Sequence, residues 1–158
     1  MTRARALWLL SKQSFASKLD GSWGYDKARK TVSKKIQNAK DAFTIELSER
    51  LEQTQIECTD ALRIISSRDT INAFHFVDPP YINSDCGHYK GYTQDDFEEL
   101  LQLLVKVKGK FMLTMFPHEL LHTYINKCGW TVKEIERTIS ASKTKRRKQK
   151  ELIVMNYS

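Results

Sequence analysis

Residues 75–84 read HFVDPPYINS and place a carboxylate, two prolines and a tyrosine directly after an apolar run. Pro79 and Pro80 cannot continue a sheet ladder, and a proline biases the residue before it toward an extended conformation. The sequence therefore predicts that a buried strand ends at Val77 and is followed by a short rigid elbow that carries Asp78 and Tyr81. In an α/β sheet, ligands bind at the carboxyl ends of the strands.

The side chains of this elbow suit the activation of an aromatic amine. The amino group of adenine is a poor nucleophile because its lone pair is delocalised into the ring. Asp78 and the carbonyl of Pro79 are both acceptors that can bind its two protons and move the nitrogen toward tetrahedral geometry. Tyr81 can stack on the base, which is worth roughly 1–3 kcal/mol, whereas extruding a base costs a few kcal/mol. The alternative is a strand-ending turn with an incidental aspartate and tyrosine.

The composition narrows the class of protein. The chain has 158 residues, a formal net charge of +7 and a pI near 9.3. This charge favours an acidic partner such as nucleic acid, although it can also serve solubility. Cys58, Cys86 and Cys128 form no CxxC motif, so we expect neither a disulfide nor a structural zinc, and no metal. Without an apolar run of membrane length or a signal peptide, we expect a protein of the reducing cytoplasm.

Hydrophobic periodicity predicts the elements that position the elbow. Residues 6–10 and 27–51 are typical of helices, the second with apolar residues at three- and four-residue spacing. From residue 54 onward, strands and helices alternate, which predicts a mainly parallel α/β sheet ending in an antiparallel pair. The predicted strands are 54–59, 72–78, 110–116, 130–139 and 151–157, and the predicted helices are 60–66, 95–107 and 117–128. Thr93 and Asp96 predict a capping box, Pro117 the first turn of a helix, and Gly129 its end.

From Trp8 onward, the chain resembles the Dam-like DNA adenine N6-methyltransferases, which use S-adenosylmethionine. The resemblance rests on DPPY at 78–81, on YKGYTQDDFEELLQLLVKVKGKFMLTMF at 89–116, and on RTISASKTKRRKQKELIVMNY at 137–157. It implies a partial Rossmann-like methyltransferase sheet with a terminal antiparallel hairpin. It also implies methyl transfer from S-adenosylmethionine to N6 of a flipped-out adenine in double-stranded DNA, by direct in-line displacement. The motif Asp78-Pro79-Pro80-Tyr81 would be catalytic, and Asp60 and Asp78 would bind the cofactor.

One part of the family pattern is absent from this sequence. The family begins with a lysine-containing cofactor segment and a glycine-rich FxGxG turn, and neither occurs here. In that fold, the missing first strand lies beside the DPPY strand, so we expect the DPPY strand to be an open edge, which is a liability for unwanted pairing. We expect residues 1–52 to be part of a mainly helical DNA-recognition region and residues 53–158 the C-terminal part of the catalytic domain. Either a second polypeptide completes this methylase, or the chain is a truncated, non-catalytic DNA-binding remnant.

Two basic segments are predicted to contact DNA phosphates, which would give affinity without reading sequence. One lies in the loop of the terminal hairpin and the other in the recognition region. The alternative for both is an ordinary solvated basic surface. The predicted DNA-binding residues are Lys27, Arg29, Lys30, Lys143, Lys145, Arg146, Arg147 and Lys148.

The stretch HELLH at 118–122 matches the pattern in which two histidines one helical turn apart bind zinc. Against a peptidase, Pro117 places His118 in the first turn of its helix, and a third ligand from Glu134 or Glu136 would be a guess. A surface helix after a central strand explains the same residues.

Overall fold

The computed structural model describes residues 2–14, 31–82, 91–139 and 147–158. The chain divides into two compact units, Met1–Glu57 and Cys58–Ser158. The functional assignment of residues 1–52 to DNA recognition and of 53–158 to catalysis remains a prediction.

The first unit is helical, as its periodicity predicts. It contains α1 (Thr2–Gln13), α2 (Thr31–Asp41) and α3 (Ile45–Glu52). The prediction of a single helix over 27–51 is wrong in its described part, because residues 42–44 separate α2 from α3. Thr44 is extended there and begins α3 as its N-cap, a position that threonine favours over a helix interior. Phe43, in the interruption, contacts Trp8 of α1 edge-on, with the ring centroids 6.5 Å apart.

The second unit alternates helices and strands around one sheet. In chain order its elements are α4 (Ala61–Arg68), β1 (Phe74–Val77), α5 (Gln94–Leu104), β2 (Lys110–Met115), α6 (Glu119–Cys128), β3 (Thr131–Ile139) and β4 (Arg147–Met155). The capping box at Thr93 and Asp96 is confirmed at the start of α5. Gly129 ends α6 in the left-handed conformation, at φ 67°, as predicted. Pro117 lies before this helix rather than in its first turn, since the N-cap is His118.

The four strands form a mixed sheet in the order β1-β2-β4-β3. The β1–β2 pairing is parallel, whereas β2–β4 and β3–β4 are antiparallel. The predicted α/β fold and its terminal antiparallel pair, β3 with β4, are confirmed. The pairings are not mainly parallel, however, because the last strand enters between β2 and β3. The prediction of a strand at 54–59 is also wrong. These residues form no strand and are exposed, with Ile56 79% accessible.

The core lies on one face of this sheet. Side chains of β2 and β4 pack there with apolar residues of α4, α5 and α6, including Phe97, Leu101, Phe111, Leu113, Leu121 and Val154. The other face of β1 carries Phe74 and Phe76, which are 55% and 62% exposed. The prediction of a buried strand is therefore wrong for β1, in which only Val77 is buried, because in the described chain one face of this edge strand is uncovered. β1 is also the edge of the sheet among the described strands, as expected for the DPPY strand.

No helix in the described part of the chain is long and apolar enough to cross a membrane.

Candidate functional site

The elbow after β1 holds its carboxylate beside the neighbouring strand. The parallel register pairs Val77 with Leu113, so Asp78 lies next to the following residue of β2, Thr114. The Thr114 hydroxyl donates to Asp78 Oδ1 over 2.7 Å. Thr114 is buried, whereas Asp78 is exposed. One carboxylate oxygen is therefore fixed by the sheet, and the carboxylate can still accept hydrogen bonds from a ligand.

The Tyr81 side chain is held by groups from β2 and β4. Its hydroxyl donates to Glu151 Oε1 and lies within hydrogen-bond reach of Thr114. Its ring meets Phe116 edge-on, with centroids 4.5 Å apart. Burial, followed by the hydrogen bond to Glu151, raises the pKa of Tyr81 well above its ordinary value. The phenol therefore stays protonated and remains a donor.

The Glu151 carboxylate is buried and has a charged partner. Only 7% of the residue is exposed, and Arg137 Nε lies 2.7 Å from its Oε2. A buried carboxylate is costly unless it is paired and hydrogen-bonded. Here the phenol hydrogen-bonds Oε1, whereas Oε2 is paired with the guanidinium by charge without a hydrogen bond. Asp78, Thr114, Tyr81 and Glu151 thus form one connected group, which we call the elbow cluster.

A pocket of about 180 Å³ opens beside the elbow cluster. Its exposed surface is mainly polar, and its lining includes a histidine ring and one side-chain amide. The lining residues are Ile82, Met115, Phe116, Pro117, His118 and Gln149. The pocket therefore lies next to the aromatic pair of Tyr81 and Phe116, at the carboxyl ends of β1 and β2.

The sequence-predicted site residues are only partly brought together. Asp78 and Tyr81 meet in the elbow cluster, and Pro79 and Pro80 between them are half-buried. Asp60 is the N-cap of α4, where its Oδ1 accepts from the Arg63 amide over 2.9 Å. No hydrogen bond within the described part of the chain joins Asp60 to the elbow cluster.

Sequence reasoning missed Thr114, Arg137 and Glu151. The usable signal for Glu151 was a charged residue beginning the apolar run ELIVM in a predicted strand. Such a residue needs a partner if its strand is buried, but the sequence does not show that the partners are Tyr81 and Arg137.

The basic residues predicted to contact DNA lie mostly outside the described residues. These are Lys27, Arg29, Lys30, Lys143, Lys145 and Arg146; for Arg147 only the backbone is described, in β4. Lys148 forms a cross-strand ion pair with Glu136 at 3.0 Å, and Lys150 one with Glu134 at 3.1 Å. Exposed pairs of this kind contribute about 0–1 kcal/mol, so a phosphate can replace either carboxylate.

The opposite end of β1 and β2 is closed by hydrogen bonds to backbone. Asp69 accepts from the amides of Lys108, at 2.8 Å, and Gly109, at 3.0 Å, and lies 3.3 Å from His75 Nε2. The hydrogen bonds from these two backbone amides hold the pKa of Asp69 below its usual value. Asn156 bridges the Phe111 amide and the Gly109 carbonyl, each at 2.9 Å. This arrangement fixes where β1 and β2 begin, and therefore where the elbow lies.

The zinc alternative finds no support around His118. Its Nδ1 accepts from the Leu120 amide over 3.2 Å, which occupies that nitrogen with helix capping. Across the described ranges, no group of three histidine, cysteine or acidic side chains could hold a metal ion.

Two comparisons with known proteins bear on this site. The family model for the D12 class N6 adenine-specific DNA methyltransferases matches residues 12–153. This match includes the elbow, β2 and most of β4. No curated protein matches the chain.

Proposed function

The chain belongs to the D12 class of N6 adenine-specific DNA methyltransferases, and from this premise we propose that it transfers a methyl group from S-adenosylmethionine to N6 of adenine in DNA. The observation that supports the proposal is the elbow cluster. It presents an exposed carboxylate and an aromatic ring side by side at the carboxyl ends of two strands. Family membership by itself does not assign roles to particular residues, so each role below is part of the proposal.

Asp78 is the acceptor that activates the amine. Thr114 donates to one of its oxygens, which orients the carboxylate and leaves the other oxygen to accept a proton of the adenine amino group. The Pro79 carbonyl accepts the second proton. Localising the nitrogen lone pair in this way makes the amine a better nucleophile, and the effect depends on preorganised electrostatics rather than on a covalent intermediate. When bound, S-adenosylmethionine supplies the electrophilic methyl group.

Tyr81 holds the base by stacking. Its ring follows Asp78 by three residues in the elbow, and stacking on an aromatic side chain contributes roughly 1–3 kcal/mol per base. This offsets part of the cost of extruding the adenine, which is a few kcal/mol.

DNA phosphates are proposed to bind the β3–β4 hairpin and the recognition region. The antiparallel pairing of β3 with β4 supports the hairpin placement of the basic tract, since the tract connects these two strands. The exposed ion pairs of Lys148 and Lys150 with glutamates keep both lysines on the hairpin surface.

The described residues include groups that can bind the adenine amine, but they offer few candidates for binding S-adenosylmethionine, the methyl donor. Asp60 offers a carboxylate oxygen beyond the one that caps α4 and is the proposed contact to the donor. The described glycines do not form a glycine-rich turn. Gly109, for example, has no room for a ligand, because the Ala73 and Thr70 carbonyls pack against its α-carbon.

The exposed edge of β1 is an argument for a second polypeptide that would complete the binding site for S-adenosylmethionine. Edge strands present unpaired backbone groups that another strand can use, and here Phe74 and Phe76 are exposed beside that edge. The competing function is DNA binding without catalysis. Calorimetric titration of the isolated chain with S-adenosylmethionine tests whether the donor site forms within this chain alone. Saturable one-to-one binding shows that the donor site forms within this chain, whereas no binding favours either a completing polypeptide or a non-catalytic protein.

The test of the function is methyl transfer to unmethylated duplex DNA, with N6-methyladenine measured by mass spectrometry of the nucleosides. We expect Asp78→Ala to abolish transfer and to leave duplex affinity nearly unchanged. Asp95→Ala, at another exposed aspartate, is the matched control and should retain activity. Transfer by Asp78→Ala at the wild-type rate would show that Asp78 has been assigned wrongly.

A further inference from the structure

The Tyr81 hydroxyl and the Glu151 carboxylate join two segments that are 70 residues apart in the sequence. The elbow is short and follows an edge strand, so its own backbone gives Tyr81 little support. Glu151 instead lies on β4, which is paired on both sides, by β2 and β3. The tyrosine of the elbow is therefore attached through its hydroxyl to a strand in the interior of the sheet.

Burying the Glu151 carboxylate at this position is energetically unfavourable. Removing a carboxylate from water carries a penalty of several kcal/mol, and apolar replacements of buried ion pairs are often neutral or stabilising. Arg137 compensates the charge from β3, at 2.7 Å, although its own side chain is largely exposed. The fold alone does not require this pair, because its neighbours Leu152 and Val154 fill the core of the same strand with apolar side chains. What the pair adds is a fixed acceptor for a phenol.

We propose that Glu151, held by Arg137, is a positioning residue that fixes the Tyr81 ring in the orientation that stacks on the target adenine. The inference rests on the proposed function in one respect, namely that Tyr81 stacks on a base. Phe116 restricts the ring from its side, with an interplanar angle of 81°, and Glu151 restricts it from its hydroxyl. The ring then offers a preorganised surface to the base.

The expected effect follows from the entropy of one side chain. Immobilising a side chain on binding costs about 0.5–1.5 kcal/mol, so releasing Tyr81 should weaken the binding of a stacked base about 2- to 12-fold. Removing the ring altogether forfeits the whole stacking contribution, so Tyr81→Ala should weaken binding by a larger factor, about 5- to 150-fold.

The experiment measures ring anchoring and base binding separately in the full chain. Anchoring is followed by ¹⁹F NMR of protein labelled with 3-fluorotyrosine, with the Tyr81 signal assigned by its loss in Tyr81→Phe. An anchored ring that flips slowly gives two signals for its two orientations, and a released ring gives one averaged signal. Base binding is followed by the fluorescence of a single-stranded oligonucleotide containing 2-aminopurine, without S-adenosylmethionine.

We expect Glu151→Leu to release the ring and to weaken oligonucleotide binding, while circular dichroism shows an unchanged fold. Glu151→Gln keeps an acceptor oxygen and should retain both properties, which a loss of general structural support would not allow. Tyr81→Phe removes only the hydroxyl and should bind as weakly as Glu151→Leu. This variant also tests the inference if Glu151→Leu does not fold.

Two results would overturn the positioning role. One is an anchored ring in Glu151→Leu, and the other is wild-type binding by both Glu151→Leu and Tyr81→Phe when Tyr81→Ala is impaired. If Tyr81→Ala also binds as wild type while Glu151→Leu releases the ring, the error lies in the proposed stacking. Glu151 is then confirmed as the anchor of Tyr81, and the adenine is held by other groups.

Discussion

Replacing Gly109 by alanine should separate β1 from β2 at the end opposite the elbow. A Cβ at this position would lie 2.5 Å from the Ala73 carbonyl oxygen and 2.8 Å from that of Thr70. Neither oxygen can retreat freely, because Ala73 O accepts from the Lys110 amide and Thr70 O from the Ala73 amide, both at 2.9 Å. Moving Gly109 instead would strain two hydrogen bonds, one from its amide to Asp69 and one from Asn156 to its carbonyl.

The expected change in the free energy of unfolding combines two destabilising contributions and one stabilising contribution. Overpacking a tight site costs about 1–3 kcal/mol, and each weakened hydrogen bond adds about 0.5–1.5 kcal/mol. Alanine also reduces the conformational entropy of the unfolded chain, which returns about 0.4–1 kcal/mol. We therefore expect Gly109→Ala to lower the free energy of unfolding by about 2–3 kcal/mol.

The assay is a urea titration followed by the fluorescence of Trp130, in a background where Trp8 and Trp23 are phenylalanine. Trp130 is buried and packs edge-on against Phe111 of β2 at 5.0 Å, so its emission reports on the sheet. The matched control is Gly129→Ala. A Cβ there meets nothing within 4 Å, and the cost is only that of a left-handed backbone at φ 67°, about 1–2 kcal/mol. The crowding argument fails if Gly109→Ala is no more destabilising than Gly129→Ala.

Three further predictions concern Asp78, the basic tract and Asp69. Thr114→Val should lower the rate of methyl transfer at saturating substrate about 10- to 100-fold by removing the 2.7 Å bond to Asp78, since bonds to charged groups contribute about 1.5–3 kcal/mol. Thr114→Ser keeps the hydroxyl and should stay near wild type; equal rates for both variants would contradict the assigned role. Alanine at Lys143, Lys145 and Arg146 should reduce the slope of log affinity against log salt by about 2–3, whereas alanine at Lys106 should leave it unchanged. Asp69 has a folded-state pKa below its unfolded value of 3.8, so its stabilisation is present above that value and is lost as the pH falls through the lower folded value. Urea midpoints between about pH 2 and pH 6 should therefore fall less steeply in Asp69→Asn than in wild type, and parallel curves would refute this.

The parts of the fold that the sequence predicted are those fixed by neighbouring residues. The elbow follows from two prolines after an apolar run, the start of α5 from Thr93 and Asp96, and the end of α6 from Gly129. Each signal spans only a few residues and needs no knowledge of tertiary contacts. The presence of Asp78 and Tyr81 in one site was predicted for the same reason.

The parts that could not be predicted depend on distant partners. Residues 54–59 have the composition of a strand, but a strand exists only where another one pairs with it, and no described strand does so. The roles of Thr114 and Glu151 arise from contacts across 36 and 70 residues, so the sequence does not identify their partners. The position of β4 between β2 and β3 likewise adds an antiparallel pairing, of β2 with β4, that the sequence does not predict.

The place of β4 in the sheet also sets the order in which the site can assemble during synthesis. β4 comes after the other described strands in sequence, yet it pairs with both β2 and β3. Until it emerges from the ribosome, β2 and β3 cannot make their antiparallel pairings, so among the described strands only β1 and β2 can pair. Contacts of such long sequence separation close late, because their loop entropy is lost before any stabilisation is gained. The hydrogen bond between Tyr81 and Glu151 therefore cannot form before β4 has been synthesised, so the elbow cluster closes after the other described strands are available.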